Sequence, residues 1–279
     1  MSLFNDRPPL VEFIVRPHMV KKALENTRPY DVFHPSSWGM CPRKTAYQYY
    51  NHAEKFLDRE DSDVDARMER IFDNGHGMHA RWQNYLDGAG VLRGYWRCKN
   101  QACGIKHGEG ELLGIINPAR TTKGWTCKCG NASVAYEEIM VKSTQYNFEG
   151  HVDAVVDVSG NPQLRKGNGL DVFVVDMKSM KDEMFGELQE AKREHVIQVH
   201  IYMWLLNLTG AVVVYENKDN QALKEMFVPM DDNLVEQIKK QAEWLLLLLK
   251  NRKLPKRPAG FSRAAFPCRM CEFARLCFA

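Results

Sequence analysis

Residues 146–178, YNFEGHVDAVVDVSGNPQLRKGNGLDVFVVDMK, decide the fold. Phe148 to Val158 alternates and then turns continuously apolar at Ala154, Val155 and Val156, which predicts a strand. Ser159 to Gly169 carries the Gly, Asn and Pro of a turn, and Val172 to Val175 is a second buried run. Two of the acids in these strands are Asp153 and Asp176. Asp153 follows Gly150-His151-Val152, and Asp176 ends the second run, two residues before Lys178. Successive strand residues face opposite ways, so Asp176 and Lys178 share one side. A carboxylate near a sheet core is costly unless a partner or a metal offsets its charge. Ordinary ion pairs at strand ends would satisfy this stretch taken alone, so the surrounding chain decides.

Just upstream, Val134 to Lys142 reads as one strand, with Ala135, Glu137, Ile139 and Val141 alternating against Tyr136, Glu138 and Met140. Beyond Lys178, Ser179 to Glu183 turns the chain into a long amphipathic helix, roughly Glu183 to Leu208. It carries Gln198 and Tyr202 one turn apart on one face. Ala211 to Glu216 and Glu225 to Pro229 predict two further strands. Asp231 or Asp232 caps a helix through Lys250, whose Val235, Ile238, Ala242, Leu245 and Leu249 make the buried stripe. Toward the N-terminus, a helix from about Arg67 to Leu86 contains Gly75-His76-Gly77-Met78-His79, and Glu54 to Ala66 is a charged, exposed connection. Met19 to Asn26 predicts a helix, and Val11 to Val15 a short strand or helix start. Ser36 or Ser37 is a candidate cap for a helix carrying Tyr47, Tyr49 and Tyr50.

A chain of 279 residues is near the upper size of a single hydrophobic core, so one domain over 1–279 with an insertion is expected. Apolar content of 44% and charged content of 26% are ordinary for a soluble globular protein. The net charge of +3 neither demands nor excludes a nucleic-acid partner, since a local basic path is enough. Met1 to Asp6 has no apolar signal-peptide core, and the aliphatic run Leu245 to Leu249 is far too short to span a bilayer. The expectation is a cytoplasmic protein with no membrane partner.

In that compartment the eight cysteines read as ligands before disulfides, and they fall into two sets. Cys98 and Cys103, then Cys127 and Cys129, occupy two knuckle-like turns within an inserted segment, 94–136. Each turn ends in Cys-Gly, where glycine admits the bend that lets amides face thiolate sulfur. Four thiolates in two close pairs suit tetrahedral zinc in a zinc-ribbon-like unit. The spacings depart from the usual two-residue knuckle, and His107 is an alternative ligand. Arg120, Thr121, Thr122 and Lys123 between the turns either face nucleic acid or are solvated. In the tail, 258–279, Cys268-x2-Cys271-x5-Cys277 completes a second set if Cys41 joins it, for iron–sulfur or zinc.

Taken in order, Gly150-x-x-Asp153, Asp176-x-Lys178 and Gln198-x-x-x-Tyr202 resemble the PD-(D/E)XK nucleases. They look most like the RecB-type branch, which includes the CRISPR-associated iron–sulfur exonucleases and AddB-type nuclease domains. Gly75-x-x-x-His79 is similar to that branch's metal-ligating histidine motif, with His76 the competitor. Cys41-Pro42-Arg43-Lys44 and the three-cysteine tail are similar to its cluster site. The resemblance covers about Trp38 to the C-terminus apart from the ribbon. It implies a restriction-endonuclease-like α/β fold, a mixed central sheet flanked by helices. It also implies that His79, Asp153 and Asp176 hold Mg²⁺ or Mn²⁺, with the Met177 carbonyl a further ligand. Lys178 would position the attacking water, Gln198 and Tyr202 would support the site, and Cys41, Cys268, Cys271 and Cys277 would hold a 4Fe–4S cluster. The activity implied is phosphodiester hydrolysis of DNA, as an exonuclease on single-stranded ends. The settings implied are recombination, repair, or phage or CRISPR DNA processing, alongside other recombination or replication proteins. The alternative is a non-catalytic nucleic-acid-binding or assembly factor that keeps the fold.

Overall fold

The computed structural model describes residues 10–25, 28–57, 66–111, 113–121, 124–164, 171–265 and 267–279. Its helices are α1 (Leu10–Glu25), α2 (Pro42–Glu54), α3 (Ala66–Gly88), α4 (Pro118–Thr121), α5 (Asp182–Glu187), α6 (Arg193–Leu206), α7 (Asp232–Lys250) and α8 (Ala274–Cys277). The strands are β1 (Leu92–Cys98), β2 (Lys106–His107), β3 (Ile115–Ile116), β4 (Val134–Glu137), β5 (Ile139–Ser143), β6 (Phe148–Val152), β7 (Ala154–Asp157), β8 (Val172–Met180), β9 (Gly210–Asn217) and β10 (Leu223–Pro229).

The central sheet runs β10-β9-β8-β7-β1-β2. It is mixed, because β8 pairs antiparallel with β7 and parallel with β9. Pairing with β9 continues to Met180↔Asn217, so Asp176 and Lys178 lie inside a strand rather than at its end. On one face, Met78, Trp82 and Leu86 of α3 pack over Leu92, Ala154, Val156 and Met177. On the other, Val199, Tyr202, Met203 and Leu206 of α6 pack over Val155, Val174 and Val213. The far side of α6 buries Ile197 and Ile201 against Ile238, Ala242 and Leu245 of α7, together with Phe33, Trp38 and Phe148.

Burial on both sides corrects the amphipathic reading of α6, since a helix that is apolar all round sits between layers. The expected single helix Glu183 to Leu208 is also two helices. Lys224 Nζ takes the carbonyls of Phe185 and Leu188 at 2.6 and 2.8 Å, which ends α5. The Lys192 amide then donates to Tyr215 Oη at 2.9 Å, fixing the entry to α6. Near the N-terminus, Ser36 and Ser37 belong to a 3-10 turn, Pro35–Ser37, and the residue that begins α2 is Cys41, followed by Pro42. Residues 58–65 of the charged connection and 165–170 of the loop after β7 lie outside the described residues. Asn26, at the end of an expected helix, lies outside them too.

Two strands that read as continuous are each broken by one acid. The stretch Val134 to Lys142 divides at Glu138: β4 pairs with β1, whereas β5 pairs with β6. Phe148 to Val158 divides at Asp153: β6 stays with β5, whereas β7 joins β8. The sheet therefore forks, with Ile139↔Val152 the last rung of the hairpin and Ala154↔Val175 the first on β8. β1 also changes partners, leaving β7 after Leu92 and Arg93 to run beside β3, β4 and β2. Among the described residues, no helix is long and apolar enough to cross a membrane.

Gly150 lies where β6 passes between the Pro35 turn and α6. A Cβ there would stand 2.9 Å from Pro35 Cδ and 3.3 Å from the Tyr202 ring. Gly150→Val should therefore cost about 1–3 kcal/mol by overpacking, read as a lower urea midpoint. A parent-like midpoint would mean that this packing gives way freely.

Candidate active site

The fork brings two acids to adjoining strands. Asp176 is 1% exposed, and its Oδ1 accepts from Lys178 Nζ at 2.7 Å. Its Oδ2 is buried with no hydrogen-bond partner. Burial pushes the Asp176 carboxyl up to about 6, against the pull of Lys178. Asp153 stands at the break between β6 and β7. Its Oδ2 accepts the Met177 amide at 2.9 Å, and its Oδ1 is 3.5 Å from His79 Nδ1.

α3 delivers His79 and, one turn on, Gln83 to the same place. His79 Nε2 lies 2.9 Å from the Met177 carbonyl oxygen. Gln83 Nε2 donates to the Asp153 carbonyl at 2.8 Å and to Glu138 Oε1 at 2.9 Å. The helix is pinned to β9 by Arg81 and Trp82, which donate to the buried Glu216 carboxylate at 2.7 and 2.6 Å. Beneath the site, Gln198 Nε2 donates to Tyr202 Oη at 3.3 Å. Burial, and then the charges of Asp153 and Asp176, push the Tyr202 hydroxyl well up, so it stays a neutral donor.

These residues fit a divalent cation. A buried carboxylate oxygen without a partner carries an unmet desolvation cost that a cation would offset. Carboxylate, carbonyl and imidazole donors suit Mg²⁺ or Mn²⁺.

The cysteines form a second constellation. Cys98 Sγ is 3.5 Å from Cys129 Sγ, and Cys103 Sγ is 3.5 Å from Cys127 Sγ, with all four sulfurs within 4.8 Å of one another. Tetrahedral zinc at about 2.3 Å from sulfur needs sulfurs about 3.8 Å apart, so the set fits one such ion. Gly104 and Gly130 take φ of +63° and +87°, and the amides of Ile105 and Asn131 face the sulfurs of Cys103 and Cys129. The Asn131 amide, with the neighbouring thiols, holds the Cys129 thiol down to about 7.

Among the described residues, no three sulfurs of Cys41, Cys268, Cys271 and Cys277 form a group within 4.8 Å. The tail carrying three of them docks on α2: Phe273 stacks on Tyr47 at 5.4 Å, and Tyr47 Oη donates to the Leu276 carbonyl at 3.4 Å. Burial raises the Cys268 thiol, and the charges of Cys41 and Cys277 raise it further.

His79, Asp153, Asp176, Lys178, Gln198 and Tyr202 thus converge. His76 does not, because its exposed ring faces Asp73. His107 packs edge-on against Trp125 and lies outside the four-sulfur set. Arg120 pairs with Asp87 at 3.3 Å and stays half-exposed. Thr122 and Lys123 lie outside the described residues, as does the Thr121 side chain. Two site residues escaped the sequence reading, Glu138 and Gln83. Gln83 had a usable signal, since His79-x-x-x-Gln83 sets two polar groups on one helix face.

A forked mixed sheet, carrying an acid on one strand and Asp-x-Lys on the next between flanking helices, defines a PD-(D/E)XK-type nuclease core. Residues 39–278 match the family model of the PD-(D/E)XK nuclease superfamily, and the chain belongs to that superfamily. Among solved structures it is similar to SSO0001, at 15% identity and a TM-score of 0.47 over 96% of each chain. It is also similar to the alkaline exonuclease of Laribacter hongkongensis in complex with dAMP, at 12% identity and a TM-score of 0.44. That match covers 80% of this chain and 90% of the other. No curated protein is significantly similar to it in sequence.

Asp153→Ala should leave the Met177 amide buried and unpaired, at a cost of about 1–3 kcal/mol. Asp153→Asn keeps an acceptor and should hold close to parental stability. Urea unfolding without divalent cations measures both, and equal midpoints for the two variants would remove this amide from the account.

Proposed function

We propose that the protein is a divalent-cation-dependent deoxyribonuclease of the RecB type, acting as an exonuclease on single-stranded DNA ends. The observation that carries the reading is the Asp176 carboxylate, with one oxygen on Lys178 and the other buried without a partner, beside Asp153 and His79. In this reading His79, Asp153, Asp176 and the Met177 carbonyl hold Mg²⁺ or Mn²⁺. The bound ion would polarise the scissile phosphate and lower the pKa of a water on it. Lys178, whose side chain is 22% exposed, reaches open solvent from Asp176. Its ammonium orients the attacking water and stabilises charge developing on the phosphate oxygens. Gln198 and the neutral Tyr202 hydroxyl support the acids from below and guide the strand.

The metal-rich remainder is structural in this reading. Cys98, Cys103, Cys127 and Cys129 hold zinc in the ribbon, 94–136. Cys41, Cys268, Cys271 and Cys277 hold a 4Fe–4S cluster that ties the tail, 258–279, to α2 within one nuclease domain over 1–279. The setting proposed is cytoplasmic DNA recombination, repair, or phage or CRISPR DNA processing, with other recombination or replication proteins.

End-labelled and circular DNA test the activity. Linear single strands should be degraded with Mg²⁺ or Mn²⁺ and protected by chelator, and Lys178→Ala should lose at least about two orders of magnitude in rate. Parent-like cleavage by that variant would remove Lys178 from the chemistry. Metal analysis separates the other two sites. Anaerobically purified protein should be brown, with iron and sulfide in equal amounts and about one zinc per chain. A Cys127→Ser/Cys129→Ser variant should lose zinc alone, and Cys277→Ala should lose iron and melt lower. Colourless, iron-free protein carrying zinc at both sites would overturn the cluster assignment.

A further inference from the structure

We infer that Glu138 is a further ligand of the cation in this site, an inference that rests on the cation-dependent reading above. Glu138 is the hinge between β4, which belongs to the cysteine ribbon, and β5, which belongs to the hairpin carrying Asp153. Asp153 is the matching hinge on the neighbouring strand. The last hairpin rung is Ile139↔Val152, so Glu138 and Asp153 occupy the next position, opposite each other.

Like charges set directly across a strand pair repel, and this pair is half-buried and buried respectively. The neutral Gln83 amide does not relieve the repulsion: it donates to Glu138 Oε1 and to the Asp153 carbonyl rather than to the Asp153 carboxylate. Lys178 is engaged on Asp176. What does meet both carboxylates is the His79 imidazole, and one ligand atom from each of His79, Glu138 and Asp153 lies within 4.8 Å of the others. A cation among those three atoms turns the repulsion into attraction. Beside that group, on the adjoining strand, the buried Asp176 Oδ2 is a further carboxylate oxygen without a hydrogen-bond partner. Glu138 and Asp153 with the His79 imidazole make a hard, anionic set, which binds Mn²⁺ and Mg²⁺ more tightly than Asp153 and His79 would without Glu138.

Glu138→Gln keeps the shape and the acceptor that Gln83 uses while removing the charge. Mn²⁺ is titrated into the full-length protein carrying its native metals, with free ion followed by electron paramagnetic resonance. Glu138→Gln should bind Mn²⁺ at least about tenfold more weakly, a loss of about 1.4 kcal/mol. It should also need a correspondingly higher Mg²⁺ concentration for half-maximal cleavage, and recover most of the rate at saturation. Its melting temperature without divalent cations should be no lower than the parent's, since the variant removes the Glu138–Asp153 repulsion. Glu138→Asp keeps the charge and should bind more tightly than Glu138→Gln. Glu149→Gln, on the Lys142 side of the same hairpin, should leave Mn²⁺ binding unchanged. Parental Mn²⁺ affinity in Glu138→Gln, or equal affinities in the Gln and Asp variants, would overturn the inference while leaving the nuclease reading intact. Parent protein that neither binds Mn²⁺ nor cuts DNA would overturn both.

Discussion

The bond from the Met177 amide to the Asp153 carboxylate is the constraint on which the site depends. Beyond Ala154↔Val175, β8 has no ladder partner on its β7 side, because the chain leaves for the β5–β6 hairpin. A buried amide left unpaired there would cost about as much as any single polar defect in a fold. Asp153 supplies the acceptor with its side chain in place of the missing backbone carbonyl. The carboxylate is thereby held at the point where the strands separate, beside Asp176 and Lys178 on β8. An acid that reads as a costly interruption of an apolar strand is what allows the strand to end there.

α3 holds the fork open in a fixed geometry. Within little more than a turn, His79 reaches the carbonyl of β8, Arg81 and Trp82 reach the end of β9, and Gln83 reaches both hinge acids. Contacts to two strands and the fork resist rotation of the helix as well as translation, which is what a ligand histidine needs if it is to keep one orientation. Glycine serves the two halves of the motif set differently. Gly150 is required by the close passage of Pro35 and Tyr202, whereas a Cβ at Gly75 or Gly77 would meet nothing within 4 Å.

Much of this was legible in the sequence because it is encoded locally. Asp176-x-Lys178 is a period-2 pattern and Gln198-x-x-x-Tyr202 a helical one, and neither depends on what lies across the sheet. The failures are long-range. Val134 to Lys142 keeps its alternation straight through Glu138, so nothing within the stretch marks the change from β1 to β6 as partner. The break before α6 is made by Lys224 and Tyr215, which come from strands later in the chain. The double-sided burial of α6 was readable in principle. His195 to Leu206 is apolar around nearly its whole circumference, a composition that belongs between two layers rather than on a surface.

The segment 94–136 is tied to the fork through β1 and β4. β1 begins on β7, at Leu92↔Val156, and ends on β4, at Cys98↔Val134, with Cys98 in the thiol set. β4 then runs only from Val134 to Glu137 before Glu138 enters the fork. The register that places Cys98 against Val134 also places Tyr95 against Glu137, so the same short ladder sets both the thiol cage and the start of the hinge. Tyr136 tightens it, since its ring covers Gly94 so closely that a Cβ there would come within 2.2 Å. An ion held by the four thiols would fix their geometry and with it the register of β4, and β4 delivers Glu138. The change near residue 94 is therefore where β1 exchanges one partner for another, and order passes along it from the cysteines to the acids.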